Sequence, residues 1–252
     1  RRWERSARRA LDPARTEALT CRERRPAGFA PLDLRATTVQ AAPVLRRVFA
    51  KLPFPYGVVI EAQSRDDSYL VSTGWARSRR ERAPVDREGR PLPWYTYPAI
   101  RFLEARVRPH FRVFEFGAGN STRWWAERVA GVRAVEHDAG WVDRLRPQLG
   151  GNAAVEYRPV DSADYPVPDG GPFDIVVIDG RRRNECARHA VAALAGNGVI
   201  VWDNSERERY DEGKRHLVAL GFRQLDFWGV VPGNVKEIAT SIFYRADNCL
   251  GI

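Results

Sequence analysis

The chain has 252 residues and a mass of 28.6 kDa, with 44% hydrophobic residues, 29% charged residues and a net charge of +9. This globular balance excludes a chain that is disordered throughout, and at about 150 residues per domain the length predicts one large domain, or one domain with an appendage. The apolar run over residues 190–202 contains Gly196, Asn197 and Gly198, and it is too short and too broken for a membrane-spanning helix.

The cysteines indicate the compartment. Cys21, Cys186 and Cys249 are odd in number and far apart, which is typical neither of a disulfide framework nor of a zinc site. We therefore expect a reducing, cytoplasmic environment.

The positive charge is concentrated in two segments. Residues 1–25 hold nine Arg and four acids, and residues 76–90 hold six Arg and three acids, which gives +5 and +3. Such segments can contact nucleic acid, anionic lipid or an acidic substrate. The interleaved acids and the lack of an aromatic stacking pattern favour a solvated Arg-rich surface instead.

Residues 1–93 are predicted to form a basic accessory or cap region. The predicted elements, in chain order, are a polar helix over 1–25, a short helix near 44–51, a strand hairpin formed by 57–62 with 68–73, and a charged, proline-containing loop over 76–93.

From residue 94 to residue 252 the pattern is that of a second region, in which strands and helices alternate. Helices are predicted over 98–107, 121–129, 141–149, 185–194 and 206–220, and strands over 112–116, 132–136, 153–160, 173–178, 198–202, 222–231 and 240–244. This alternation predicts parallel βαβ units in an α/β, doubly wound, mostly parallel sheet. The last two strands are joined by a loop that contains Pro-Gly-Asn, so we expect them to pair as an antiparallel hairpin.

A glycine-rich turn follows the first strand of this region. Gly117 and Gly119 allow a tight turn and a close approach of a ligand, and the helix that follows begins with free N–H groups. Thr122 stands where a dinucleotide-binding motif has its third glycine, which argues against an NAD-dependent oxidoreductase.

Acidic residues accompany three successive strands. Glu115 lies on the first strand, Glu136 ends the second, and Asp161, next to Ser162, ends the third. A carboxylate in the place of Glu136 can accept both hydroxyls of a ribose. The set suits a ligand with an ammonium and a sulfonium, such as S-adenosylmethionine.

The stretch from Glu115 to Thr122 resembles the first signature of class I S-adenosylmethionine-dependent methyltransferases. The strand order and the terminal hairpin also look like the seven-stranded, Rossmann-like sheet of that family, over about residues 94–252. The resemblance implies S-adenosyl-L-methionine as cofactor, with the turn on the methionine part, Glu136 on the ribose and Asp161 with Ser162 at the adenine. His137 lines the adenosine site or points into the fold. The expected cofactor-binding residues are Glu115, Gly117, Gly119, Asn120, Ser121, Thr122, Glu136, His137, Asp161, Ser162 and Asp179.

Further polar residues follow the next two predicted strands. Asp179 comes after one, and Asp203 with Asn204 after the other. Carboxylate and amide oxygens suit Mg²⁺ or another divalent cation, and the placement is similar to that in metal-dependent catechol and caffeoyl-CoA O-methyltransferases. That resemblance implies a metal on these three residues, with Asp179 in a catalytic role. The alternative is that the acids only cap helices or orient loops.

One position departs from the pattern of those enzymes. Arg182 stands where they have a lysine that is a candidate base, and an arginine does not readily lose a proton. Arg182 is therefore expected among the catalytic residues but not as an ordinary base, and Arg181, Arg182 and Arg183 are expected to clamp a carboxylate or phosphate of the substrate. Trp94, Tyr95 and Tyr97 are expected either to cover the substrate or to wedge the N-terminal region against the sheet.

The leading hypothesis is methyl transfer to an oxygen of a small or medium hydroxylated substrate, assisted by a divalent metal or independent of one. The alternatives are a methyltransferase of RNA or another polyanion recruited by the basic N-terminal region, an NAD-dependent oxidoreductase, and a non-catalytic binding module on the same fold. Nothing in the sequence indicates the oligomeric state.

Overall fold

The computed structural model describes residues 58–59, 62 and 65–252. The helices predicted over 1–25 and near 44–51 lie outside the described residues. Within the described part of the chain, no helix is long and apolar enough to cross a membrane.

The centre of the fold is a seven-stranded sheet in the order β3-β2-β1-β4-β5-β7-β6. β7 pairs antiparallel with β5 and β6, and the other neighbours pair parallel, which confirms the predicted fold class. The strands are β1 (Arg112–Phe116), β2 (Gly131–Glu136), β3 (Ala153–Tyr157), β4 (Phe173–Ile178), β5 (Leu194–Asp203), β6 (Arg223–Gly229) and β7 (Ile238–Tyr244).

Helices cover both faces of the sheet. They are α1 (Tyr69–Ser72), α2 (Trp75–Glu81), α3 (Tyr97–Arg106), α4 (Asn120–Ala126), α5 (Ala139–Leu145), α6 (Arg183–Ala193) and α7 (Asp211–Ala219), and short 3-10 turns occur at Arg146–Gln148 and Glu208–Tyr210. The predicted strands over 112–116 and 173–178 have the observed bounds.

The central strands alternate their side chains between two apolar layers, as a pleated strand must. Val113 and Ile175 face a layer with Leu103 of α3 and the tryptophans of α4, whereas Phe114 and Val176 face a layer with α6 and α7. Because both faces are covered, β4 is buried along nearly its whole length, as parallel strands usually are. The core therefore lies on both sides of β1, β4 and β5.

The hairpin predicted for residues 57–62 with 68–73 is wrong. Val58, Val59 and Ala62 are helical, and the second segment contains α1. The Ser68 hydroxyl accepts a hydrogen bond from the backbone N–H of Val71 at 3.3 Å and so caps α1. The β-branched residues suggested a strand, but this local cap stabilises a helix.

The predicted loop over 76–93 is also partly wrong, because its first residues belong to α2. The Ser78 hydroxyl donates to the carbonyl of Val85 at 2.7 Å and accepts from its N–H at 3.0 Å, which folds the following loop back onto the helix. Trp75 and Leu92 lie in the same apolar layer as α3. The segment from Trp75 to Leu92 is thus packed against the sheet domain.

Candidate active site

A cavity of about 660 Å³ opens at the carboxyl ends of β1, β2, β4 and β5. In open α/β sheets this crevice, beside the place where the strand order reverses, is where ligands bind, and the volume lies within the range of small-molecule sites. Its walls come from the turn after β1, the end of β2, and the loops after β4 and β5. Ala83, Pro84 and Trp94 close it from the N-terminal side.

The two glycines of the turn after β1 have different requirements. Gly117 has φ +88°, and a Cβ there would lie 2.9 Å from the Cα and N of Gly180, so this position needs glycine for the fold itself. A Cβ on Gly119 would meet nothing nearer than Trp141 Cζ2, at 3.9 Å. Glycine at 119 therefore leaves open space on the cavity wall that protein packing does not use.

Glu115 lies beneath the turn. The Thr122 hydroxyl donates to Glu115 Oε2 at 2.5 Å and accepts from the N–H of Gly119 at 3.0 Å, which links the buried carboxyl to the turn. Burial raises the pKa of Glu115 to about 8, although the hydroxyls of Ser121 and Thr122 oppose the change. The structure thus gives Glu115 a position behind the cavity wall, from which it shapes the turn through Thr122.

Glu136 lines the cavity and is held by the backbone. Its Oε1 accepts from the N–H groups of His137 at 2.8 Å and Asp138 at 3.0 Å, and its Oε2 accepts from Ala118 at 3.2 Å. These backbone donors fix the orientation of the Glu136 carboxylate on the cavity wall.

His137 stands beside this carboxylate and also lines the cavity. Its Nδ1 lies 2.6 Å from Glu136 Oε1, and its Nε2 accepts from Arg181 Nε at 3.2 Å. His137 and Arg181, both predicted as site residues, are therefore brought together at the β2 end of the cavity.

Arg183 joins the ends of β4 and β5. Its buried guanidinium donates to Asp179 Oδ1 at 2.8 Å, to the carbonyl of Gly180 at 3.0 Å, and to the carbonyl of Asp203. Asp179 lines the cavity with 23% of its side chain exposed. Asp203 is buried, and its Oδ1 accepts from Thr240 Oγ1 at 2.8 Å. Burial and the nearby Asp179 raise the pKa of Asp203 well above its ordinary value, and Arg183 opposes this.

The residues predicted to bind a divalent metal do not fit one. A fixed guanidinium already binds Asp179 and the backbone of Asp203, the Asp203 side chain faces Thr240, and Asn204, with φ +51°, does not line the cavity. In the described part of the chain, no group of three or more His, Cys, Asp or Glu side chains could hold a metal ion. Asp179, Asp203 and Asn204 are therefore not arranged as the ligands of one metal ion.

Three further predicted residues do not line the cavity. β3 ends at Tyr157, so Asp161 is exposed in the following loop, and Ser162 donates to the carbonyl of Pro159 at 2.7 Å. Arg182 donates to Glu185 at 2.5 and 2.9 Å and to the carbonyl of Ser162 at 2.6 Å. Arg182 thus ties this loop to α6 and is not part of the cavity lining.

The aromatic segment before α3 is divided between the cavity and the core. Trp94 lines the cavity, and its indole N–H donates to the carbonyl of Pro232 at 3.0 Å. Tyr95 is buried with its hydroxyl 3.4 Å from Trp125 Nε1, and Tyr97 packs edge-on against Tyr69 at 5.7 Å. Only Trp94 of these three is placed to cover a ligand.

The structure also adds residues that the sequence analysis did not single out. These residues lie after β5 and between β6 and β7, and they are Arg207, Glu208, Arg209, Tyr210 and Lys236. The predicted residue Asn120 also lines the cavity, and its side chain donates to the carbonyl of Pro84 at 2.8 Å. The sequence offered one indication of these residues. Residues 204–210 follow a predicted strand, and the carboxyl ends of parallel strands meet at the sheet edge where the cavity lies.

No protein-family model matches the chain, and no curated protein sequence matches it. Solved structures are similar in fold. A precorrin-8w decarboxylase from Methanobacterium thermoautotrophicum is 20% identical, aligned over 61% of this chain and 92% of that chain, with a TM-score of 0.44.

Two further solved structures carry the names of methyltransferases. A precorrin-6y C5,15-methyltransferase from Geobacter metallireducens is 14% identical over 59% of this chain and 87% of that chain, with a TM-score of 0.48. A putative O-methyltransferase from Klebsiella pneumoniae is 18% identical over 61% and 83%, with a TM-score of 0.45. All three structures are similar to this chain in fold.

Proposed function

We propose that the chain is an S-adenosylmethionine-dependent methyltransferase that acts on an oxygen of a small or medium hydroxylated acceptor. The observation that carries this proposal is the open space at Gly119 beside the oriented carboxylate of Glu136, both on one cavity. Gly117 is required by packing, but Gly119 is not, so we attribute the second glycine to the close approach of a ligand.

The chain holds the cofactor through the two central strands. The turn after β1 accepts the methionine part, and Glu136 accepts hydrogen bonds from the ribose hydroxyls. Trp141, whose indole N–H donates to the carbonyl of Ala118 at 2.7 Å, lies beside the turn and supplies an apolar wall. When bound, the cofactor would supply an electrophilic methyl group to the acceptor oxygen, with its sulfur as the leaving atom that keeps the bonding electron pair.

The residues between the two ends of the cavity orient the acceptor. Asp179 lies after the central strand β4, and Arg183 fixes its carboxylate. In this proposal Asp179 takes the proton that leaves the acceptor hydroxyl. Trp94 and Pro84 exclude water from above, and proximity in the enclosed site supplies most of the rate enhancement.

The ion pairs within the basic segment 76–90 favour a small acceptor over RNA. Arg77 pairs with Glu81 at 2.6 Å, and Arg90 pairs with Asp86 at 2.6 Å. These acids neutralise much of the charge that a phosphate backbone would need.

The test is calorimetric titration of the purified protein with S-adenosylmethionine, S-adenosylhomocysteine and NAD⁺. We expect micromolar dissociation constants, about −8 kcal/mol, for the first two only. Glu136→Gln removes the charge that accepts the ribose hydroxyls, and Gly119→Ala fills the open space, so each is expected to weaken binding at least tenfold.

A matched control is Gly151→Ala, because a Cβ at this exposed loop position meets nothing within 4 Å. Thermal melting of each variant checks that the fold is retained. Preferential binding of NAD⁺, or unchanged affinity for S-adenosylhomocysteine in Glu136→Gln, would overturn the assignment.

A further inference from the structure

We propose that the methyl acceptor is an anion whose carboxylate or phosphate binds to Arg209 and Lys236 at the end of the cavity remote from Glu136. The inference rests on the proposed function, since it names the acceptor class of that same site. It follows from the distribution of charge along the cavity.

The strand order arranges the cavity wall from one end to the other. The ends of β2 and β1 contribute Glu136 and the glycine turn, and the loop after β4 contributes Asp179. The loops after β5 and before β7 contribute the far end, with three cationic side chains and one acidic one: Arg207, Arg209, Lys236 and Glu208. Around Glu136 and Asp179 the lining also holds Arg181 and Arg183, so the two charges of each sign balance there, whereas the far end has a surplus of positive charge.

This surplus is not neutralised by neighbouring acids. Arg207 lies 3.5 Å from Glu206, but Arg209 and Lys236 form no ion pair within 4.0 Å with any residue that the structure describes. Arg183, in contrast, is paired with Asp179. Arg209 and Lys236 therefore give this end of the cavity a positive charge that would attract an anionic ligand.

Arg209 and Lys236 are both exposed, and the protein fixes the Arg209 side chain and the loop that carries Lys236. Arg209 Nη2 donates to the Tyr210 hydroxyl at 2.9 Å, and its guanidinium lies 4.8 Å from the centre of the same ring. The loop that carries Lys236 is pinned by Trp94, which donates to Pro232, and by Trp75, which donates to the carbonyl of Asn234 at 2.8 Å. A guanidinium that is already oriented loses less entropy when it binds a carboxylate or phosphate, and Lys236 adds a second charge from a loop of fixed backbone.

The test uses small aromatic probes that differ in charge. Benzoate, phenyl phosphate and the uncharged benzamide are titrated into the protein with and without saturating S-adenosylhomocysteine. We expect at least one anion to bind tenfold or more tighter than benzamide. Benzoate as the better ligand identifies a carboxylate acceptor, and phenyl phosphate identifies a phosphorylated one.

The decisive variant is the double substitution Arg209→Gln with Lys236→Gln. It is expected to abolish the preference for the anion and to leave the affinity for S-adenosylhomocysteine within about twofold. Arg223→Gln is the matched control, because Arg223 is exposed and pairs with Tyr244 at the opposite edge of the sheet.

The outcomes separate this inference from the proposed function. Equal binding of benzamide and the anions, no anion binding at all, or an unchanged anion preference in the double variant would overturn the inference. A single-stranded oligonucleotide that binds tighter than the small anions would overturn it in favour of a polyanionic acceptor. Failure of the wild-type protein to bind S-adenosylhomocysteine would overturn the cofactor assignment, and the titrations without it would still test the anion site.

Discussion

The buried carboxyl of Glu115 gives the stability of this protein a specific pH dependence. Its pKa is about 8 in the folded protein, against an ordinary value of 4.5. This difference corresponds to at most about 5 kcal/mol. Because the folded state binds the proton more tightly, the contribution is complete below the unfolded pKa and is lost as the pH rises through about 8.

The substitution Glu115→Gln isolates this effect. Glutamine is close in shape to the protonated acid and can still accept the hydrogen bond from Thr122, so at pH 5 we expect its free energy of unfolding to be within about 1 kcal/mol of the wild type. At pH 9 the wild type must bury an ionised carboxylate. The variant should therefore be more stable there, by up to about 5 kcal/mol.

The assay is urea denaturation at pH 5, 7 and 9, followed by circular dichroism. Glu237→Gln is the control, because this side chain is exposed and its substitution should leave the pH dependence unchanged. Comparison of two proteins that differ only at residue 115 cancels the other buried acids, Asp203 included. A stability difference between variant and wild type that stays constant from pH 5 to pH 9 would refute the reasoning.

Three further predictions concern the turn and the guanidinium beneath the sheet edge. Gly117→Ala should lower the free energy of unfolding by about 1–3 kcal/mol in urea denaturation, because the backbone has φ +88° and a Cβ would lie 2.9 Å from Gly180. Arg183→Met should cost about 3–5 kcal/mol, since it removes a buried donor to Asp179 and to two strand-end carbonyls. Arg188→Met is the control, because it breaks an exposed ion pair with Glu212, and it should cost about 0–1 kcal/mol in the same assay. Equal losses of stability in Arg183→Met and Arg188→Met would contradict this account. Dialysis against EDTA should leave the thermal midpoint and the affinity for S-adenosylhomocysteine unchanged, because a guanidinium bridges the ends of β4 and β5; a fall in either would contradict that interpretation.

Local patterns in the sequence determined the order and type of the elements in the sheet domain. The apolar run Phe173–Ile178 is bounded by a proline before it and an aspartate after it, and the structure has the same bounds. The glycine turn after β1 was identifiable because it follows a strand and precedes a helix. The antiparallel hairpin followed from a loop too short for a crossover helix. Each of these features depends on residues close together in the chain.

Local patterns failed where a side-chain contact decided the outcome. The β-branched residues of 68–73 suggested a strand, but Ser68 caps a helix there. Aromatic residues such as Tyr95 and Tyr97 are typical of a segment that covers a substrate. Both are buried here, because α3 packs against the sheet. The end of β3 at Tyr157 left Asp161 exposed and outside the cavity lining.

Only the tertiary structure decided which charged groups reach the cavity. Asp203 and Thr240 are 37 residues apart, and their hydrogen bond exists because β7 lies beside β5. The same topology brings Arg209 and Lys236, from two separate loops, to one end of the cavity. The spacing of residues along the chain determines helices, strands and turns, whereas the neighbours of a carboxylate or a guanidinium depend on strand order and packing between distant segments.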